Sequence, residues 1–230
     1  MSTTELLNKS LKDIDLRINI EKEYGINVLS KDGMKIGISV LEELYSKETG
    51  LYKRSFQDLR TIYSVIPLKD CILPCIQYKH KSLQDLLERM RSKVLVNTKS
   101  ELKESVVFSG NLYSIGTGGL HTKDSPSLIV PTENEVIIDS DVNSYYPSLL
   151  IEWGFFPKHL GSKFLDVYKR IYEERLEAKR QGNKTVNETL KLSLNGTYGN
   201  LINEHSWLFD RKAAMSITVN GQLFLLMLAE

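Results

Sequence analysis

A short apolar run that leads directly into acids and aromatic rings constrains this sequence more than any other feature. Residues 135–140 read Glu-Val-Ile-Ile-Asp-Ser, a pattern typical of a buried strand. Asp139 and Asp141 follow its apolar part, and a carboxylate there is costly unless a cation or several donors satisfy it. Pro147 fixes the next turn and biases Tyr146 towards an extended backbone. We therefore predict a strand over 135–140 that ends where a metal and a substrate could be held.

Two helices joined by a short polar loop are predicted further along the chain. The first runs from Ser162, a candidate N-cap, to near Gly182, and it places Arg175 and Lys179 one turn apart on one face. The second opens at a capping box, Thr-Val-Asn-Glu, that begins at Thr185.

The second predicted helix carries polar residues on one side, because Lys191, Asn195 and Tyr198 are spaced by four and then three. We expect an antiparallel hairpin in which Arg175, Lys179 and Lys191 converge. Basic residues on helices are, taken alone, more often a solvated surface. The spacing by itself therefore leaves both interpretations open.

Two strings resemble motifs of the family B DNA polymerases. Residues 141–148, Asp-Val-Asn-Ser-Tyr-Tyr-Pro-Ser, resemble motif A, Asp-x-x-Ser-Leu-Tyr-Pro-Ser, with Tyr145 in place of Leu. Residues 191–199, Lys-Leu-Ser-Leu-Asn-Gly-Thr-Tyr-Gly, resemble motif B, Lys-x-x-x-Asn-Ser-x-Tyr-Gly, with Gly196 in place of Ser. The motifs stand in the family's order, and their form is similar to that of phage polymerases. The resemblance covers about residues 113–230.

The resemblance implies an α+β fold, with a polymerase palm sheet, a two-helix fingers hairpin and a mixed, mainly helical N-terminal region. We expect residues 1–104 to be an N-terminal connecting region of open role. Residues 105–160 would be the first part of the palm with motif A, and 161–200 the fingers hairpin with motif B. Residues 201–230 would return to the palm and stop before motif C.

The function implied by the resemblance is template-directed DNA synthesis, by nucleotidyl transfer from deoxynucleoside triphosphates. Asp141 and the carbonyl of Val142 would bind Mg²⁺, Asp139 would be a structural acid, and Asp141 and Lys191 would be catalytic. Tyr146 would lie under the incoming sugar and exclude a 2′-hydroxyl. The residues that would bind the nucleotide are Ser144, Tyr145, Tyr146, Arg175, Lys179, Lys191, Asn195 and Tyr198.

Motif C of the family, an Asp-Thr-Asp hairpin with the second metal-binding carboxylate, is absent from this sequence, as are a thumb and an exonuclease motif. Because one carboxylate cannot clamp two Mg²⁺ ions, the isolated chain is expected to be weak or inactive. The expected partners are primer–template DNA and deoxynucleoside triphosphates, and a separate C-terminal polymerase segment is a further candidate. Two alternatives stay open: a non-catalytic nucleotide or primer–template binding module, and a defective polymerase remnant.

A glycine-rich segment precedes the first motif. Residues 105–108 and 112–115 read as two strands joined by a turn, and the second leads into Gly-Thr-Gly-Gly at 116–119. Taken alone, this glycine-rich loop fits either an ordinary β-bulge or a phosphate-binding site, and the sequence leaves both interpretations open. It resembles the Tyr-x-Gly-Gly segment of family B polymerases, which implies that Gly118 and Gly119 contact DNA.

Bulk composition excludes a few classes of function. The formal net charge of +1 over 230 residues gives no global basic field, so any nucleic-acid surface must be local. Cys71 and Cys75 are expected to be reduced thiols rather than half of a zinc site. With no signal-peptide pattern and no apolar run of bilayer length, we predict no membrane partner. The expected location is the cytoplasm of a bacterium or a phage-infected cell.

Overall fold

The computed structural model describes residues 3–96, 102–123, 126 and 128–230, and for residues 3–9 and 12 it describes the backbone alone. The helices are α1 Thr3–Tyr24, α2 Gly33–Thr49, α3 Arg54–Gln57, α4 Lys81–Ser92, α5 Tyr145–Trp153, α6 Ser162–Arg180, α7 Lys184–Leu201 and α8 Arg211–Ala229. The strands are β1 Ile66–Pro67, β2 Val94–Leu95, β3 Lys103–Phe108, β4 Asn111–Gly116 and β5 Leu120–Thr122. The α+β class is confirmed.

The chain forms two compact units, and neither is continuous in sequence. Unit one combines Met1–Thr61 with Leu150–Asp210, and unit two combines Ile62–Leu149 with Arg211–Glu230. The N-terminal helices α1 to α3 therefore belong to the same unit as α6 and α7.

Unit one has an aromatic core. Tyr45 of α2 lies 5.0 Å from Phe56 and 5.6 Å from Trp207 between ring centroids, and Phe164 of α6 joins them. The hydroxyl of Tyr45 donates to the carbonyl of Leu160 at 3.1 Å, so the polar end of this buried ring is satisfied. Burial of this many large rings supplies much of the hydrophobic stabilisation of the unit.

The predicted helical hairpin is confirmed as α6 and α7, but different residues cap its helices. The side chain of Asn183, rather than Thr185, accepts from the amide of Val186 at 3.1 Å and opens α7. The N-cap position of α6 is Gly161, one residue before the predicted Ser162. Gly182 between the helices has a φ of 73°, which the tight reversal requires.

In unit two, an antiparallel sheet of β3, β4 and β5 packs on α4 and α8. The predicted strand pair is confirmed, and the glycine-rich segment after it continues into β5. Val106, Phe108 and Ile115 face the core, where side chains of α4 and α8 also lie. Alternate residues of β3, among them Lys103 and Ser105, face solvent, as the period of a strand dictates.

Helix α8 is the centre of unit two. By length and composition it could cross a membrane, but 67% of its most apolar window is buried inside the protein, as expected for a core helix. It also buries polar side chains that bind backbone elsewhere in the unit. Both cysteines are free thiols, as predicted; Cys71 is buried and Cys75 exposed.

The strand predicted over 135–140 is wrong. These residues form no strand, and Val136, Ile137 and Ile138 are exposed. A strand requires a partner, and none pairs with this segment in the part of the chain that the structure describes. The extended backbone predicted for Tyr146 is also wrong, because Tyr146 and Pro147 lie in the first turn of α5. Proline is tolerated there, where an amide has no intrahelical partner.

A histidine in unit one joins two loops through neutral hydrogen bonds. Nε2 of His159 lies 2.8 Å from the carbonyl of Trp207, which can only accept, so this nitrogen carries the hydrogen. Nδ1 then accepts from the hydroxyl of Thr61 at 2.7 Å. Burial lowers the pKa of His159; the Trp207 carbonyl and the charge of Asp210 oppose that shift, and Arg60 reinforces it.

We predict that unit one loses stability in mild acid. An unfolded histidine has a pKa of about 6.5, and that of folded His159 is lower, so the unfolded chain binds more protons below about pH 6.5. The contribution of His159 is complete above that pH and is lost as the pH falls towards the folded pKa. The melting temperature measured by circular dichroism should fall from about pH 7.5 to about pH 5.5, and less steeply in His159→Asn. His205→Asn, at an exposed histidine of the same unit, should keep the wild-type slope; equal slopes in all three proteins would contradict the assignment.

Candidate functional site

Helix α7 presents a polar stripe on its solvent face. Lys191 and Asn195 are exposed and Tyr198 is half-buried, while residues such as Leu194 face the interior. The hydroxyl of Tyr168 in α6 donates to the carbonyl of Leu194 at 2.9 Å and fixes the inner side of the helix. The stripe therefore holds an ammonium group, an amide and an aromatic ring in line along a rigid element.

The two basic residues predicted on α6 differ in environment. Lys179 is exposed near the end of the helix, whereas Arg175 is only 8% exposed. The aliphatic stem of an arginine can be buried at little cost, but burial of its guanidinium requires partners. The sequence spacing placed both residues on one face and could not distinguish their burial.

The two glycines of the second motif contact α2. A side chain at Gly196 would meet Ile38 at 3.6 Å and the carbonyl of Met34 at 3.7 Å, and one at Gly199 would meet Met34 at 3.8 Å. In the structure, the space beside them is occupied by α2.

In unit two, the first motif forms the start of α5. Ser144 has a φ of 53°, and its carbonyl accepts from the amide of Ser148 at 2.9 Å, the first helical hydrogen bond. Asp141 and Val142 precede this turn and are exposed. A left-handed conformation at a serine is uncommon, and it turns the chain sharply into the helix.

The two tyrosines of the first motif pack against α8 at a glycine. The hydroxyl of Tyr145 donates to the carbonyl of Gly221 at 2.6 Å, and its ring stacks with that of Tyr146 at 6.1 Å between centroids. Burial, with a smaller effect of Tyr146, raises the pKa of Tyr145 to about 12. A side-chain carbon at Gly221 would approach a terminal methyl group of Leu149 to 3.1 Å, so a larger residue here would require the Leu149 side chain to move by a few tenths of an ångström.

The described residues do not fit a two-metal site. No group of three or more histidine, cysteine, aspartate or glutamate side chains lies close enough together in the described ranges to hold an ion. Asp139 and Asp141 are two residues apart on an exposed, irregular stretch of chain. Two Mg²⁺ ions need more oxygen ligands than the carboxylate of Asp141 and the carbonyl of Val142 provide.

A cleft of about 720 Å³ lies beside the glycine-rich loop of unit two. The predicted DNA-binding residues Gly118 and Gly119 line it, and the cationic or titratable groups around it are Arg89, Lys103, Glu104, His121 and Lys123. Cross-strand pairing aligns Ser105, Ser114 and His121 in one row. The lining of the cleft thus combines small side chains with cationic ones.

Two contacts hold the cleft in shape. The side-chain amide of Gln222 on α8 donates to the carbonyl of Gly116 at 2.8 Å and accepts from its amide at 3.1 Å. Burial opposes ionisation of Glu104, but hydrogen bonds from Lys93 and Arg89 outweigh it and keep its pKa below the usual value. Because these two cations offset the negative charge of Glu104, the charges of Lys103 and Lys123 leave the cleft positive. Sequence reasoning missed this set of cations, although strand alternation placed Lys103 on the open face.

The chain is similar to DNA polymerase II of Escherichia coli (strain K12), with 28% identity over 207 residues. The alignment covers 73% of this chain and 26% of that protein, so the chain spans about a quarter of its relative's length. No family model matches the chain, and no solved structure matches it.

Proposed function

We propose that this chain is the nucleotide-binding part of a family B DNA polymerase of bacterial or phage origin, and that this polymerase carries out template-directed DNA synthesis. The observation that carries the proposal is the exposed stripe of Lys191, Asn195 and Tyr198 on α7, at the spacing of the polymerase motif. The similarity to a DNA polymerase supports it. We propose the cytoplasm of a bacterium or of a phage-infected cell as its location.

The stripe has the chemistry to bind a deoxynucleoside triphosphate. The ammonium groups of Lys191 and Lys179 would attract the phosphates and stabilise the charge of the leaving pyrophosphate. Asn195 and Tyr198 would meet the base, by hydrogen bonding and ring packing respectively. Arg175 is buried, so its forked guanidinium would reach a phosphate only through the small fraction of the side chain that is exposed.

We predict that Lys191→Ala weakens binding of a fluorescent dATP analogue about tenfold or more at low salt. The lost charge-assisted hydrogen bond accounts for a change of this size. Fluorescence anisotropy measures the affinity. The control is Lys163→Ala, which removes an equally exposed lysine from α6 away from the hairpin's loop end. Equal affinity of wild type and Lys191→Ala would remove this role.

The exposed apolar segment before Asp141 supports a second polypeptide segment as a partner. Leu128, Ile129 and Val130 are exposed, as are Val136, Ile137 and Ile138, on either side of a turn closed by Thr132 and Glu135. Exposed aliphatic runs of this size mark interaction sites. A strand from a C-terminal polymerase segment would pair with this run and bring the missing carboxylate beside Asp141.

We predict that primer extension appears only when such a segment is supplied, and that Asp141→Ala abolishes it. The reason is that nucleotidyl transfer needs several carboxylates around Mg²⁺, of which this chain offers Asp141. The assay mixes the chain with a polypeptide that supplies a carboxylate-bearing polymerase segment and follows extension of a labelled primer. Asp139→Asn serves as the matched control and should keep most of the activity. Activity that survives Asp141→Ala would exclude the proposed catalytic role.

The cleft of unit two is the proposed contact for single-stranded template DNA. Backbone amides of Gly118 and Gly119 and the charges of Lys103 and Lys123 suit a phosphodiester backbone. The clamp from Gln222 to Gly116 keeps the loop ready for binding, which reduces the entropy cost.

We predict that Lys103→Glu and Lys123→Glu each weaken binding of fluorescein-labelled oligo(dT) several-fold at low salt. Each change also lowers the salt dependence, because one phosphate contact fewer releases about one counterion fewer. Anisotropy titrations at several salt concentrations measure both quantities. Lys69→Glu makes the same charge change on unit two outside the cleft and should have a small effect. Three equal losses would indicate a general charge effect and not a site.

A non-catalytic binding module is the second candidate, and the incomplete set of carboxylates favours it. Nucleotide and DNA binding without turnover, even with the added segment, would support this alternative. Failure of both binding assays would instead support the defective remnant.

A further inference from the structure

The proposed function leaves α2 without a role. We propose that α2 is a positioning element for α7: its backbone at Gly37 sits on the backbone of α7 at Leu192 and sets the direction of Lys191 and Asn195. The inference rests on the proposed function for the identity of the ligand. All the contacts involved lie within unit one.

The contact at Gly37 is between two backbones. A side-chain carbon at Gly37 would lie 2.3 Å from the carbonyl oxygen of Leu192 and 2.6 Å from the amide nitrogen of Ser193. No L side chain fits in that space, and backbone atoms cannot turn aside as a side chain can. The two helices therefore lie so close at this point that their backbones are in contact.

The contact continues along α7 as a seam beside the polar stripe. Leu192, Gly196 and Gly199 touch α2, through Gly37, Ile38 and Met34 respectively. The stripe consists of the residues immediately before each of these, Lys191, Asn195 and Tyr198.

Because each residue of the stripe directly precedes a residue that contacts α2, the direction of the polar side chains depends on how α7 packs against α2. Successive residues of an α-helix are about 100° apart around its axis, so the stripe lies along the edge of the seam for its whole length. Any rotation of α7 against α2 changes the direction of the polar side chains by the same angle. The interlocked backbone prevents that rotation.

The helix α2 is itself anchored. Asp32 caps its start by accepting from the amide of Lys35 at 2.9 Å, and Lys31 donates to Ser39 at 2.6 Å. At its other end, Tyr45 is held in the aromatic core. A fixed helix on one side and the Tyr168 hydrogen bond from α6 on the other leave α7 one orientation.

The test is a double-mutant cycle in the full chain, with affinity for the fluorescent dATP analogue as the readout. Gly37→Ala should weaken binding about tenfold, since misplacement of a binding group by about an ångström is costly. In the Lys191→Ala background the same change should weaken binding by a clearly smaller factor, because the part of its effect that acts through Lys191 is already lost and only the part through Asn195 remains. Equal losses in both backgrounds would show a structural role only and would overturn the proposal.

The matched control is Gly50→Ala, the same substitution at the C-terminal end of the same helix. Gly50 has a φ of 68° and no neighbour within 4 Å, so alanine there strains α2 without touching α7. Its affinity should stay at the wild-type value even where its melting temperature falls as far as that of Gly37→Ala. An equal loss of affinity in Gly50→Ala would overturn the positioning role.

A milder variant covers failure of Gly37→Ala to fold. Met34→Ala trims a 57% exposed side chain that touches Gly199, and it should weaken nucleotide binding about twofold to threefold with the fold retained. Unchanged affinity in Met34→Ala would then overturn the proposal.

If Lys191→Ala itself leaves affinity unchanged, the proposed function fails and the positioning role fails with it. A loss in Lys191→Ala without one in Gly37→Ala overturns the positioning role alone.

Discussion

Three consecutive residues of α8 hold three separate segments of unit two in place. Asn220 binds the carbonyl of Cys71 and the amide of Leu73, at 2.7 and 2.8 Å. Gly221 accepts from Tyr145, and Gln222 clamps Gly116. A buried helix that carries amide side chains is stable only if each of them finds partners, because an unsatisfied buried amide costs about 1–3 kcal/mol. The same requirement that stabilises α8 therefore fixes the start of α5 and the glycine-rich loop, the two candidate regions of this unit.

Local patterns predicted much of the fold. Sequence patterns identified α6 and α7 as a helical pair and β3 and β4 as a strand pair, since these elements depend mainly on contacts within their own segment or with a neighbour in sequence. Partners distant in sequence account for what was missed. Burial of Arg175 depends on the packing of unit one, and the seam between α2 and α7 leaves no trace in α7 except its glycines. Residues 135–140 are the opposite case. Their sequence has the pattern of a strand, but no strand pairs with them in the part of the chain that the structure describes.

The exposed apolar segment at residues 128–138 leaves two groups of aliphatic side chains in water. Burying one valine or isoleucine side chain contributes about 1.5–3 kcal/mol, so leaving Val136, Ile137 and Ile138 in water forgoes a large stabilisation. Isolated apolar residues on a surface need no explanation, but two aliphatic triplets on either side of a turn do. The chain spans about a quarter of the length of the polymerase to which it is similar.

Binding and chemistry make different demands on this chain. Attraction of phosphates needs cations on rigid elements, and both units supply them: Lys179 and Lys191 on unit one, and Lys103 and Lys123 beside a clamped loop on unit two. Metal-assisted transfer needs several carboxylates at one point, and the described residues bring no such group together. The proposed phosphate binding and the proposed catalysis are therefore separable. The backbone contact between α2 and α7 favours the first, because a binding group that is already held in one direction loses less conformational entropy on binding.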